Sequence, residues 1–285
     1  MYGDSSASFE TLLASAARAL AEFRLVDAQV LAGRAEAAAS SESARAEARK
    51  LRAGAGEIAI PPNDPRTEAY HRWYYDSLVW QRTTWCGVLI LKSVLDLWNY
   101  QEIIVALRPS LIIEFGSFAG GSALFFAHVL RAARIDGRVL TVDVDQSRTA
   151  SAARDEPLIE FLQASSVAPE ALQRIDALRR EHPGPAFFIL DSDHAEAHVY
   201  AELLALRPRT REGDVVIVED TNINGHPVLP VFGPGPYEAL HRYLADYPGD
   251  YMIDAARESK FGFSFACDGF LIRSGHANDG AEPVR

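Results

Sequence analysis

Ser110-Leu111-Ile112-Ile113-Glu114-Phe115-Gly116-Ser117-Phe118-Ala119-Gly120-Gly121-Ser122 passes from an apolar run into a turn holding three glycines, and a helical stretch over residues 122–134 follows. The run is short and lacks polar alternation, so it reads as a strand covered on both faces. The same rhythm recurs along the chain. Residues 138–142, 158–162, 186–190 and 214–218 form further strand regions, and residues 195–206 read as a helix between the last two. Strands of this kind, each followed by a helix, predict a parallel sheet in an α/β domain. The tail differs: residues 251–254, 261–265 and 269–273 predict strands with hairpin-type connections. The expected fold is Rossmann-like, a mostly parallel seven-stranded sheet ending in an antiparallel hairpin.

Upstream, residues 1–56 are rich in Ala, Glu, Arg and Ser and contain no proline. Leu12, Leu13, Ala16, Leu20, Phe23 and Leu25 recur at helical steps, which predicts one amphipathic helix and a second, more polar one over about 28–52. Pro61-Pro62-Asn63-Asp64-Pro65 is a stiff connector, so the expected division is a helical extension over 1–60 and a main domain over 61–285. The leader's stripe is narrow for a core of its own. It predicts burial on a second copy of the chain, hence a homo-oligomer.

The bulk properties exclude several partners. A net charge of −11 repels phosphate backbones and anionic lipid heads, arguing against nucleic acid or a membrane surface. No apolar run is long enough to span a bilayer, and the N-terminus lacks a basic-then-apolar signal pattern. Two cysteines, Cys86 and Cys267, without metal-ligand spacing suit a reducing, cytoplasmic setting.

In open parallel sheets, ligands bind outside the carboxyl ends of the strands. The turn Gly116-Ser117-Phe118-Ala119-Gly120-Gly121-Ser122 lies there, with glycines that let backbone approach closely. Asp143 follows the second strand, where a carboxylate can accept both hydroxyls of a ribose. Together they point to an adenosine-containing ligand. A dinucleotide fold wants G-x-G-x-x-G, but Phe118 occupies the middle glycine position. Glu114 would repel a pyrophosphate and could accept from an ammonium. S-adenosylmethionine has the ammonium and no phosphate, so the turn favours it over NAD.

Asp191-Ser192-Asp193-His194 follows the fourth strand and Glu219-Asp220-Thr221-Asn222 the fifth, on the same sheet edge. Carboxylates gathered together repel, and a hard divalent cation relieves this; oxygen donors suit Mg²⁺, Mn²⁺ or Ca²⁺. Ser192 or Asp193 is placed to cap the next helix. His194 could take a proton from a hydroxyl that the cation has acidified. His194 and His198 stand four apart, yet the zinc-protease order H-E-x-x-H is absent. Trp73, Tyr74, Tyr75, Trp80 and Trp85 cluster before the first strand, as core or as an apolar lid over an acceptor.

Trp85-Cys-Gly87, Lys92, Asp96-Leu-Trp98-Asn-Tyr-Gln101-Glu102, the 114–122 turn, Leu190-Asp-Ser-Asp-His194, Val218-Glu-Asp-Thr-Asn222-Ile-Asn-Gly-His226-Pro and Gly233-Pro-Gly-Pro236 resemble the cephalosporin hydroxylase/rhamnosyl O-methyltransferase family. The resemblance covers about residues 72–273. It implies a class I methyltransferase fold, similar to metal-dependent sugar and catechol O-methyltransferases. It implies Asp191, Glu219 and Asp220 as metal ligands, with Glu219 28 residues after Asp191. His194 would be the base where catechol enzymes carry a lysine, with Asp191 beside it in catalysis and against the cofactor. Ser165 and Ser166 would lie near the adenine, joining Glu114, Gly116, Ser117, Phe118, Gly120, Ser122 and Asp143 around the cofactor. The acceptor would be a small molecule, often a deoxysugar hydroxyl in antibiotic or other natural-product tailoring. The "hydroxylase" half of the family's name leaves an oxygenase-associated or non-catalytic role as the alternative, and an NAD-dependent oxidoreductase is the third.

Overall fold

The computed structural model describes residues 8–21, 25–54 and 65–275. The chain divides into two compact units, Met1–Pro61 and Pro62–Arg285. Phe23 and the connector residues 61–64 lie outside the described residues, as does the side chain of Leu25.

Among its described residues the first unit holds three helices, where two were expected: α1 (Phe9–Ala21), α2 (Leu25–Ala38) and α3 (Glu42–Gly54). The expected second helix breaks at Ala39-Ser40-Ser41, because the Ser41 hydroxyl accepts from the Ala44 amide at 3.2 Å and starts a new helix. Glu36 then ties α2 to α3 through Arg49 at 2.7 Å and Arg52 at 3.0 Å. Leu12 packs with Ala35 and Ala48, and Ala19 with Ala28. Small alanines let the helices approach closely enough for a narrow stripe to be buried within its own unit. The leader therefore gives no reason to require a second copy.

The second unit opens with α4 (Pro65–Asp76), a short ribbon of β1 (Thr84–Trp85) and β2 (Val88–Leu89), and α5 (Val94–Leu107). Then come β3 (Leu111–Phe115), α6 (Gly121–Ala132), β4 (Arg138–Asp143), α7 (Ser151–Arg154), β5 (Ile159–Gln163), α8 (Pro169–Glu181), β6 (Ala186–Leu190), α9 (Glu196–Leu206), β7 (Val215–Val218), α10 (Pro236–Asp246), β8 (Tyr251–Ile253), α11 (Ala255–Ser259) and β9 (Phe270–Arg273). The seven strands order as β5-β4-β3-β6-β7-β9-β8; the first five run parallel, and β9 is antiparallel to both β7 and β8. Every residue of β3 and β6 is buried, because a layer of side chains covers each sheet face. One layer includes Ile113, Phe188 and Val216, the other Ile112, Phe187 and Ile217.

Residues 261–265 are not a strand. Asp96, buried in α5, accepts from the Phe265 amide at 2.9 Å and the Ser264 hydroxyl at 2.7 Å. The first of these bonds takes a backbone amide that a ladder would need. The rings of Phe263 and Phe265 are buried instead, against His71 and Tyr74 of α4. The strand order reverses between β3 and β6, which opens a crevice at their carboxyl ends.

Candidate active site

Backbone pairing sets the crevice. Asp191 N donates to Phe115 O, Gly116 N to Val142 O and Glu219 N to Leu190 O. The ends of β3, β4, β6 and β7 are thus held in one row. Gly116 has φ of +96°, and a Cβ there would lie 1.8 Å from the Asp191 carbonyl oxygen. Its glycine is required by the neighbouring strand end, beyond any approach of a ligand. A Cβ on Gly121 would likewise meet Leu89 O at 2.2 Å.

The turn is wired to Asp143. One carboxylate oxygen accepts from the amides of Ser117 and Phe118, both at 2.9 Å, and the other from Asp145 N at 3.0 Å. Glu114 lies beneath: it is fully buried, and its Oε2 accepts from Thr141 at 2.7 Å. Burial pushes its carboxyl up to about 7, against the pull of Lys92.

A cavity of about 500 Å³ runs along this edge. Of the expected residues, Gly116, Ser117, Phe118, Ser122, Asp143, Ser165, Ser166, Asp191, His194 and Asp220 line it. Glu114, Gly120 and Glu219 lie behind that lining. Glu114 lies under the turn, and its Oε1 is buried without a hydrogen-bond partner among the described residues. Gly120 faces Ala153, 2.8 Å from where its Cβ would be. Tyr75, Trp80, Ile223, Leu229 and Phe232 add an apolar wall. The aromatic cluster thus divides: Tyr75 and Trp80 face the cavity, Tyr74 is core, and Trp85 packs edge-on against Phe125. Asp193 accepts from Ala195 N at 2.9 Å and acts at the entry to α9.

At the other end, the ligand atoms of Asp191, His194 and Asp220 lie within 4.8 Å of one another. His194 Nε2 is 3.4 Å from Asp191 Oδ1 and 3.2 Å from Asp220 Oδ2. Although burial works against its charge, Asp220 and Asp191 hold the imidazolium up to about 9. Burial, with Asp191 and Glu219 nearby, raises Asp220 to about 7 despite His194. Glu219 is not in that group. Its Oε1 accepts from Lys92 Nζ at 2.9 Å and from Tyr100 OH at 2.7 Å. Lys92 also donates to Asp191 Oδ2 at 2.6 Å. Asp191 is held low: burial would raise it, and Lys92 and His194 together more than offset that.

Lys92 and Tyr100 went unassigned in the sequence. The signal was there: Lys92 is the one cation in Val88-Leu-Ile-Leu-Lys-Ser-Val-Leu-Asp-Leu97, and a charge inside so apolar a stretch must find buried partners. Ser166 belongs to another network the sequence did not show, donating to the buried Glu202 at 2.5 Å while His198 Nε2 lies 3.0 Å from its hydroxyl.

A class I sheet with this glycine turn, its acid at the end of β4 and a mixed carboxylate–imidazole group across the crevice defines an S-adenosylmethionine-dependent O-methyltransferase. Residues 77–274 match the family described as Rhamnosyl O-methyltransferase/CmcI, and the chain belongs to it. It is similar to a rhamnosyl O-methyltransferase of Mycobacterium leprae (strain TN), 53% identical over 212 residues that cover 74% of this chain and 92% of that protein. A rhamnosyl O-methyltransferase of Mycobacterium tuberculosis (strain ATCC 25618 / H37Rv) is 50% identical over 220 residues, 77% of this chain and 90% of that one. Solved structures of CmcI, one apo and one with Mg and S-adenosylmethionine, each superpose with a TM-score of 0.54 at 25% identity, covering 68% of this chain and 77% of theirs. Among the described residues, no helix is long and apolar enough to cross a membrane.

Proposed function

We propose that the enzyme methylates a hydroxyl of a glycosylated natural product, with a deoxysugar such as rhamnose as the accepting unit and a divalent cation, Mg²⁺ before Mn²⁺ or Ca²⁺, held by Asp191, Glu219 and Asp220. The observation that carries this is the single cavity, with the Asp143-wired turn at one end and Asp191, His194 and Asp220 at the other. The names of the mycobacterial relatives support the sugar, and the magnesium of one CmcI structure supports the cation. The carboxylate oxygens of the site fit a hard ion, and His194 stands beside them as the base.

Ser165, Ser166 and Asp143 line the adenosine end, and Gly116 to Phe118 border the methionine portion. Tyr75, Trp80, Leu229 and Phe232 exclude water from the acceptor. The bound cation would orient the acceptor hydroxyl and acidify it. His194 then removes that proton as the hydroxyl oxygen attacks the sulfonium methyl in line. With only the protein's own carboxylates around it, His194 keeps its proton; the base role requires Asp191 and Asp220 to be engaged by the cation. Positioning supplies most of the acceleration, since the donor is already activated.

Free Cys86 and Cys267 are in keeping with a cytoplasmic setting. Association of copies is a further part of the proposal. Its support moves from the leader to α5, where exposed Val94, Trp98 and Val105 share one face. Light scattering on wild type and Trp98→Lys tests it.

The central test is methyl transfer to rhamnosylated metabolites and nucleotide sugars, followed by mass spectrometry in EDTA and after Mg²⁺ is restored. A one-methyl gain that needs the added ion is expected. Full activity in chelator removes the cation from the proposal. Cofactor binding without product from any of these acceptors favours the oxygenase-associated or non-catalytic alternative.

A further inference from the structure

Behind the adenosine end of the cavity lies a carboxylate that methyl transfer leaves without a role. Glu202 of α9 is fully buried. Its Oε1 accepts from the Ser166 hydroxyl at 2.5 Å and the Ser192 hydroxyl at 2.6 Å, and His198 Nε2 lies 3.3 Å away. Ser166 follows β5, Ser192 follows β6 and His198 is one turn back on α9, so one carboxylate ties three elements together. Its Oε2 is buried without a hydrogen-bond partner among the described residues. A buried charge so partly satisfied calls for a cation beside it, and His198 supplies one.

His198 is also the member of this group that reaches ligand space together with Ser166, lining the cavity with its side chain 24% exposed. Its Nε2 stands between two oxygens, 3.0 Å from Ser166 Oγ and 3.3 Å from Glu202 Oε1. Ser166 donates its proton to Glu202, so both oxygens are acceptors and Nε2 carries a hydrogen. That leaves Nδ1, which has no hydrogen-bond partner among the described residues.

We propose that His198 is a specificity residue for the cofactor's adenine, its Nδ1–H donating to a ring nitrogen of the base, and that Glu202 is the positioning residue that aims it. The inference rests on the placement of the adenosine end given above, and on neither the acceptor nor the cation. With Nε2 already protonated, Nδ1 carries a hydrogen only in the imidazolium. The bond to Glu202 raises His198 above its ordinary 6.5 against the effect of burial, and the charge of Asp193 adds to this. The end of β5 faces it with the uncharged Ser166. A charge-assisted bond of this kind is about twice as strong as a neutral one.

S-adenosylhomocysteine binding to the full chain is measured by calorimetry at pH 6, 7 and 8 for wild type, His198→Leu, Glu202→Gln and Asp143→Ala, and binding of the 1-, 3- and 7-deaza analogues at pH 6. His198→Leu should bind S-adenosylhomocysteine about tenfold more weakly at pH 6. One of the three analogues should show a similar loss with wild type and no further loss with His198→Leu, which has no donor left to lose. Wild-type affinity should fall towards pH 8 more than that of His198→Leu, because the donor goes with its proton. Glu202→Gln should bring that fall to lower pH, whereas an equal loss at all three values would make Glu202 merely structural and overturn its part. Should His198→Leu fail to fold, His198→Phe, which keeps a planar ring, takes its place. Equal affinity of wild type and His198→Leu overturns the inference. So does wild-type affinity that rises with pH relative to the variant, since the imidazole would then accept from the adenine amine. Asp143→Ala keeps two failures apart. Where it weakens binding and His198→Leu does not, the inference fails and the adenosine end stands; where neither weakens it, the placement of that end fails as well.

Discussion

The two ends of the cavity are built by different means. At the turn end the working groups are backbone: the amides of Ser117 and Phe118 are aimed by one carboxylate, Asp143, two dozen residues away. At the opposite end they are side chains, and Asp191 and Glu219 are held by a lysine 99 and 127 residues away in sequence. A backbone site tolerates change wherever its dihedrals survive. A site of buried charges depends on every partner, because each one left alone carries its full desolvation cost. Cofactor binding and turnover should therefore separate cleanly by variant, except where the two ends touch.

His194→Ala removes the proposed base and nothing from the turn. Turnover should fall by about 10²–10⁴-fold, with S-adenosylhomocysteine affinity unchanged by calorimetry. An equal loss in both would mean that the two ends are one unit. Gly116→Ala is the variant that should break the separation. The new methyl must displace the Asp191 carbonyl from a backbone already at positive φ. We expect about 3 kcal/mol or more of lost stability in chemical unfolding, together with weakened cofactor binding and activity. A stable, active variant would show that the contact between the ends is slack. Asp143→Ala should loosen the turn alone, weakening S-adenosylhomocysteine by about 1–3 kcal/mol while turnover at saturating cofactor stays within a few-fold. A collapse of turnover there would reverse the assignment of roles.

The same division governs what the sequence revealed. The turn was legible because local order makes it: apolar strand, glycines, helix and a following acid occupy consecutive positions. Asp191 and Asp220 were legible because each follows a strand whose end must lie on that edge. The lone charge of Lys92 in an apolar stretch was visible, but its partners were not, since tertiary packing sets them and no periodicity marks them. The bond from Lys92 to Glu219 was hidden for the same reason, while the next residue in sequence, Asp220, lines the cavity. In the leader, the break at Ser41 competes with a run of good helix formers, and only the hydroxyl bond to Ala44 decides it. The 261–265 segment has strand-like composition, but Asp96, far back in the chain, claims its backbone.

The smallest effect concerns the support behind the side-chain end. His71 of α4 is buried against the rings of Phe263 and Phe265, and Asn222, two residues past Asp220, donates to its Nε2 at 2.9 Å. Burial first, then the charge of Arg72, pulls the imidazole down to about 4 from its ordinary 6.5. The folded chain therefore keeps His71 neutral at a pH where the unfolded chain has protonated it. Below about 6.5 the unfolded state binds the extra proton, so this stabilisation is complete above pH 7 and lost progressively towards pH 4. Protonation would also set two donors face to face at Asn222. Between pH 7 and 5.5 the loss should be about 1 kcal/mol. His71→Gln keeps a polar group for Asn222 and removes the titration. Urea unfolding of both proteins at the two pH values should show wild type losing about 1 kcal/mol more than the variant, whatever the other groups contribute. Equal losses would mean that His71 is not what couples α4 to the end of β7, and that the side-chain end is no more sensitive to mild acid than the turn.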